Sequence, residues 1–237
     1  MTTDFNGEFM LYQLKKFSVL GDSISTFFGY SQPPEAVFYS SINRYETGVC
    51  SVSDTWWSKV IDALGGQLLV NDSFSGSTVT FDPRYEIASY GCSAERTSSL
   101  DANGKTPDVI LVFMGINDRG SGVLLRPTRE EEKKDPRIFS EAYSEMLRKL
   151  QTNYPQAELW CLSLPLGSLD GYAPSAAARQ KTEEYSKVIA ECAAHKNCRL
   201  IDICKMKPYE SIDGLHPNAE GMNRIAEAVL AALNNNS

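Results

Sequence analysis

Histidine is scarce in this chain: 237 residues carry two, His195 and His216. Chemistry that needs a side chain switching charge near neutral pH therefore has two candidates. No apolar run approaches the roughly 20 residues of a membrane-spanning helix, which excludes a helical membrane protein. Cationic residues are in deficit, with 23 Lys and Arg against 30 Asp and Glu and a formal net charge of −7. Nucleic acids and anionic membrane surfaces are poor partners for such a chain, because both need a basic footprint. The first ten residues lack the basic start and apolar stretch of a signal peptide and carry Asp4 and Glu8. The chain as written is expected to stay in the cytoplasm.

Several enzyme signatures are missing as well. There is no Gly-x-Ser-x-Gly elbow, which excludes the α/β-hydrolase reading. There is no phosphate-binding P-loop and no Gly-x-Gly-x-x-Gly fingerprint of dinucleotide enzymes. Neither repeats nor low-complexity linkers occur. The six cysteines (Cys50, Cys92, Cys161, Cys192, Cys198 and Cys204) are scattered, several in apolar context, and read as buried free thiols. Cys192, His195 and Cys198 match no zinc-ligand spacing and lack a fourth ligand, so no metal or other cofactor is expected.

What is present is a strand–helix alternation. Five short apolar runs read as buried strands: Phe17–Leu20, Gln67–Asn71, Val109–Met114, Leu159–Leu164 and Leu200–Ile203. Between and after them, helical patterns cover Thr55–Leu64, Ser140–Asn153, a stretch within Ala176–Ala194, and Asn218–Leu233. Alternation of this kind predicts an α/β fold with a parallel sheet between helix layers. The length suits one domain, residues 1–237. Three long loops interrupt the pattern, Thr26–Asp54, Ser77–Ala94 and Arg119–Arg137. The charged run Arg129–Asp135 reads as solvated surface.

Ligands of such sheets bind beyond the carboxyl ends of the strands. Four polar turns lie there: Gly21-Asp22-Ser23, Asn71 to Gly76, Gly115-Ile116-Asn117-Asp118, and Asp213-Gly214-Leu215-His216. Each alone is an ordinary turn, but together they hold what acyl transfer needs. Ser23 is a hydroxyl nucleophile, and a hydroxyl needs a base to take its proton. His216 is that base, and Asp213, three residues earlier, orients its ring. The rival, His195, lacks such an aspartate and reads as the end of a helix. The N–H groups of Ser23 and Gly76, with the Asn117 amide, form a candidate oxyanion hole. Glycine at 76 lets the backbone come close to a substrate. Asp22 reads first as a turn-holding residue and second as an additional acid. Asp118 and Asn71 read as structural. Arg96 has no assigned role.

These blocks resemble those of the SGNH hydrolases, or GDSL esterases and lipases. Ser23, Gly76, Asn117 and His216 stand as the quartet, in the family's order across residues 21 to 217. The resemblance implies a three-layer α/β/α flavodoxin-like fold with a five-stranded parallel sheet. It also implies metal-free hydrolysis of small-molecule esters through a Ser-His-Asp acyl-enzyme. Two departures are visible. Isoleucine stands at 24 in place of leucine. About thirty residues separate the serine from the next helix, an inserted loop at about 26–54 rich in aromatics. Phe27, Phe28 and Tyr30 of this loop are candidate substrate contacts, or a satellite core that orders it. Trp56 and Trp57 open the following helix, at least one of them as packing. Within the family, short acyl esters are expected, above all acetyl groups on carbohydrate. The alternatives are a lipase or lysophospholipase for longer chains, an acyltransferase with the same acyl-enzyme, and a non-catalytic carbohydrate-binding module. Oligomeric state is not legible.

Overall fold

The computed structural model describes residues 11–83, 89–126 and 135–234. The first ten residues and positions 129–134 of the charged run lie outside them. In chain order the elements are β1 (Lys16–Gly21), α1 (Arg44–Thr47), α2 (Trp56–Ala63), β2 (Gln67–Ser73), α3 (Ala94–Thr97), β3 (Val109–Phe113) and α4 (Ile116–Ser121). They continue with α5 (Phe139–Asn153), β4 (Glu158–Leu162), β5 (Gly167–Leu169), α6 (Ala176–His195), β6 (Arg199–Ile201), β7 (Tyr209–Ser211) and α7 (Ala219–Asn234).

Five of these strands form one parallel sheet in the order β2-β1-β3-β4-β6. β3 lies inside it, and all five of its residues, Val-Ile-Leu-Val-Phe, are buried. A strand covered on both faces must be apolar throughout, which is why it reads as a run and not as an alternation. Helix α2 packs against α7, and α5 against α6, completing the α/β/α layers. The apolar stripe of α5 buries Phe139, Tyr143, Met146, Leu147 and Leu150, the positions its 3.6-residue period marks. Side chains fix several helix starts. Thr55 accepts from Ser58 N in α2, Ser175 from Ala178 N in α6, and Asn218 Oδ1 from Gly221 N at 2.9 Å in α7.

Strand ends differ from the sequence expectation by one or two residues, and one case has a clear cause. Leu159–Leu164 and Leu200–Ile203 were expected; the strands stop at Leu162 and Ile201. Beyond them Ser163 Oγ accepts from both Ile203 N and Cys204 N at 2.8 Å, replacing the carbonyl that a continued ladder would use. Two further short strands, β5 and β7, pair in parallel as a separate ribbon. The segment at 26–54 is an ordered structure containing α1 and 3₁₀ turns at Pro34–Ala36 and Val52–Asp54. Of the thiols, Cys92, Cys161 and Cys192 are buried as expected, whereas Cys50 is exposed on this segment, and Cys198 and Cys204 are partly exposed. Among the described residues, no helix is long and apolar enough to cross a membrane.

Candidate active site

The chain reverses sheet direction between β1 and β3: from β1 it moves outward to β2, then returns to β3 on the other side. A crevice opens at the carboxyl ends of strands at such a switch point. Gly21 pairs with Ser73 of β2 and with Phe113 of β3. Ser23, Gly76 and Asn117 therefore leave one edge of the sheet within four residues of a common line.

The serine sits in a tightly held turn. A Cβ at Gly21 would stand 2.6 Å from Ser25 Cβ and 2.7 Å from Ser73 Oγ, so only glycine fits. Asp22 Oδ1 accepts from Ile24 N at 3.1 Å and caps the single 3₁₀ turn Ser23–Ser25. Trp56 and Trp57 are both buried, and both indole N–H groups reach Ser25: Trp56 Nε1 its hydroxyl at 3.1 Å, Trp57 Nε1 its carbonyl at 2.9 Å. Asn71 Nδ2 donates to the same carbonyl at 2.8 Å. The expectation for Asn71 and Asp22 as turn-holding residues matches these bonds. Burial raises the Asp22 carboxyl to about 7, with nearby Asp118 adding to the rise and Arg96 opposing it.

His216 arrives from the far end of the chain. In the Asp213–His216 turn, Asp213 Oδ1 accepts from Leu215 N at 2.9 Å and His216 N at 2.7 Å. Its Oδ2 lies 2.6 Å from His216 Nδ1, and His216 Nε2 lies 2.9 Å from Ser23 Oγ. Burial alone would raise the Asp213 carboxyl; the bonds from His216 N, the imidazole and Leu215 N outweigh it and hold it below the usual carboxylate range. The β5–β7 ribbon braces this turn. Ser211 Oγ accepts from Gly214 N at 2.9 Å, and Tyr209 Oη donates to Leu215 O at 2.6 Å.

The remaining donors face the same edge. Gly76 takes φ of +78°, a left-handed conformation that glycine adopts without strain. Among the described residues, neither its N–H nor that of Ser23 donates to a protein acceptor. Asn117, in the first turn of α4, gives one Nδ2 hydrogen to Ser77 O at 2.9 Å, leaving its second for another acceptor. Its neighbour Asp118 is buried and clamps the next loop by accepting from Val79 N, Thr80 N and Thr80 Oγ1 at 2.7–3.0 Å. Burial holds the Asp118 carboxyl above its usual range despite those bonds.

Two features escaped the sequence reading. Buried Arg96 uses all five donors: Nε to Asp72 Oδ2, Nη1 to Ser77 Oγ and Ser89 O, Nη2 to Gly21 O and Asp72 O. It ties the ends of β1 and β2 to the loop that Asn117 touches. Phe38 of the 26–54 segment lies face to face on the His216 ring. Of the loop aromatics named beforehand, Phe27 packs against the core and against Tyr30, and Tyr30 leans toward Trp57. Phe28 is exposed, with its N–H donated to Tyr39 O. His195 is exposed at the end of α6, away from these groups. No group of three or more His, Cys, Asp or Glu among the described residues could hold a metal ion.

Comparison with known proteins agrees with this layout. A structure from Bacteroides ovatus ATCC 8483, described as a GDSL-like lipase, is similar at 30% identity and a TM-score of 0.71, over 93% of this chain and 98% of that one. Another so described, from Bacteroides uniformis ATCC 8492, matches at 30% identity and 0.71, over 93% and 95%. Est24, a carbohydrate acetylesterase from Sinorhizobium meliloti, shares the fold at 15% identity and a TM-score of 0.57, over 92% of this chain and 98% of its own. Comparison with curated protein sequences finds no match. The sequence model of the GDSL-like Lipase/Acylhydrolase family matches residues 15–233, a span that holds the whole five-stranded sheet and all four polar turns. The chain therefore belongs to the GDSL-like lipase/acylhydrolase family and is an ester hydrolase.

Proposed function

We propose that the chain hydrolyses short-chain acyl esters, acetyl groups on carbohydrate above all, with Ser23 as nucleophile, His216 as base and Asp213 as the group that orients it. The observation that carries this is the hydrogen-bonded line Ser23 Oγ, His216 Nε2 and Nδ1, Asp213 Oδ2, at 2.9 and 2.6 Å. Ser23 Oγ attacks the carbonyl carbon while its proton passes to His216 Nε2. Asp213 holds Nδ1–H, which fixes the tautomer and steadies the charged ring. The oxyanion accepts from the N–H groups of Ser23 and Gly76 and from Asn117 Nδ2. As the intermediate collapses, the bond to the leaving oxygen breaks and His216 returns the proton to it. Water, activated by the same imidazole, then releases the acyl group from Ser23.

Two observations support a small acyl group. Ser23 is 2% exposed, and Phe38 walls one side of its base. Approach to the hydroxyl is narrow. Phe28, exposed on the 26–54 segment, offers an aromatic face of the kind sugar rings stack on, while Phe27 and Tyr30 serve packing. The second reading is a lipase for longer chains, favoured by the description of the two Bacteroides structures.

The test is hydrolysis of p-nitrophenyl acetate, butyrate and octanoate by the wild type and Ser23→Ala. Turnover confined to the wild type and highest on acetate supports the proposal. Rates rising toward octanoate favour the lipase. Equal rates in both proteins remove Ser23 from the nucleophile role.

A further inference from the structure

We propose that Phe38 is a positioning residue for His216, and that the 26–54 segment braces the base against the nucleophile. The inference rests on the reading of His216 as the base.

The ring centroids of Phe38 and His216 are 3.6 Å apart with 8° between planes. A parallel sandwich is a poor arrangement for two neutral rings, whose quadrupoles prefer offset or edge-on contact. A cation over an aromatic face is a good one. The stack is therefore better matched to the charged imidazolium than to the neutral ring. In the proposed reaction the ring gains that charge as Ser23 gives up its proton. A contact that improves as the transition state forms lowers the barrier, whereas one equal in both states does not.

The segment is built to hold that ring in place. Thr26 Oγ1 donates to Ser23 O at 2.8 Å and accepts from Phe38 N at 2.9 Å, so one hydroxyl joins the nucleophile's backbone to the base's wall. Asn43 Nδ2 donates to Phe38 O at 2.6 Å. Tyr39 is fully buried, edge-on to Phe38, and its hydroxyl donates to Pro217 O at 2.8 Å, next to the histidine. Ser75 N donates to Ala36 O at 2.8 Å, one residue before Gly76. Three bonds thus run from this segment to Ser23, to the turn holding Gly76 and to the residue after His216, with Thr26 and Asn43 fixing Phe38 from within.

The experiment compares Phe38→Leu, Phe38→Tyr, Tyr39→Phe and His216→Ala with the wild type. It reads kcat and KM on p-nitrophenyl acetate, the rate of labelling by a fluorophosphonate, and the melting temperature. Phe38→Leu keeps apolar bulk without a π face. Its kcat is expected to fall roughly 10-fold, the factor that about 1.4 kcal/mol represents, with KM within about twofold. Labelling slows in proportion, because it reports activation of Ser23 with no ester present. Phe38→Tyr restores kcat to within about threefold of wild type. Tyr39→Phe loses the clip to Pro217 and lowers kcat severalfold at unchanged KM. Wild-type kcat in Phe38→Leu, or equal impairment in the leucine and tyrosine variants, overturns the proposal. Should Phe38→Leu fail to fold, wild-type kcat in Tyr39→Phe overturns it. Full activity in His216→Ala would instead remove the reading beneath it.

Discussion

Replacing Arg96 by methionine is the sharpest perturbation available outside the reacting groups. Arg96 is 5% exposed, and its side chain and that of Asp72 are both largely out of water. Methionine fills similar volume but abandons five acceptors at once: Asp72 Oδ2, Asp72 O, Gly21 O, Ser77 Oγ and Ser89 O. Removing one member of a buried ion pair costs about 3–5 kcal/mol, most of it from the charge left behind. For a chain of this length each kcal/mol moves the melting temperature by about 2–4 °C. Arg96→Met is therefore expected to melt roughly 10 °C or more below wild type by calorimetry. Arg96→Lys keeps the charge beside Asp72 but loses the planar fork, and should fall between the two. Catalysis should suffer beyond stability. Ser77, freed from Arg96, no longer offers Asn117 a fixed carbonyl, so kcat on p-nitrophenyl acetate drops at temperatures where the variant is fully folded. A methionine variant within about 2 °C of wild type would refute the argument, since buried acceptors cannot lose their donors at no cost.

Asn117→Ala should lower kcat by roughly 10²–10³, the usual loss for one oxyanion donor, measured under saturating p-nitrophenyl acetate; a loss below tenfold would take Asn117 out of the oxyanion hole. Asp22, raised to about 7 by burial, binds its proton more tightly folded than unfolded, where a carboxyl titrates near 3.9. Its contribution to stability is thus full below about pH 4 and is lost as pH rises toward 7, by roughly 2–3 kcal/mol between pH 5 and 8. Asp22→Asn keeps an acceptor for Ile24 N and cannot ionise, so urea unfolding should show a smaller pH 5 to 8 decline than in wild type; identical declines would contradict the burial effect. Gly21→Ala forces a methyl against Ser25 and Ser73. Its urea midpoint should drop by the equivalent of about 1–3 kcal/mol, and an unchanged midpoint would mean that the turn relaxes freely.

The parts legible in the sequence are those governed by local pattern. β3 announces itself because a strand buried on both faces is apolar at every position, and α5 because its stripe repeats every third and fourth residue. The four turns were visible because reactive residue types follow such strands. Lengths were less legible: Ser163 ends two strands with one hydroxyl, and no propensity foresees a side chain acting 40 residues away. Arg96 stayed unassigned for a similar reason, since its five acceptors lie on four residues, Gly21, Asp72, Ser77 and Ser89, that only the fold brings together. The inserted segment was legible as aromatic but not as to which aromatics mattered. Phe27 and Tyr30 turned to packing, whereas Phe38, farther along the segment, reached the histidine. Strands of three residues, such as β5 and β7, carry too little periodicity to be told from loop.

The Asp213–His216 contact spans three positions, whereas the contact from His216 to Ser23 spans 193. On the proposed roles, the first survives any disturbance that leaves one turn intact, while the second exists only when both ends of the chain are docked. Turnover is then a ruler laid across the closed molecule. Under mild denaturant the docked segments open at lower free energy than the β3 core unravels. Esterase activity is expected to fade ahead of the far-ultraviolet helix signal, and the gap between the two curves measures how firmly the histidine end is fastened.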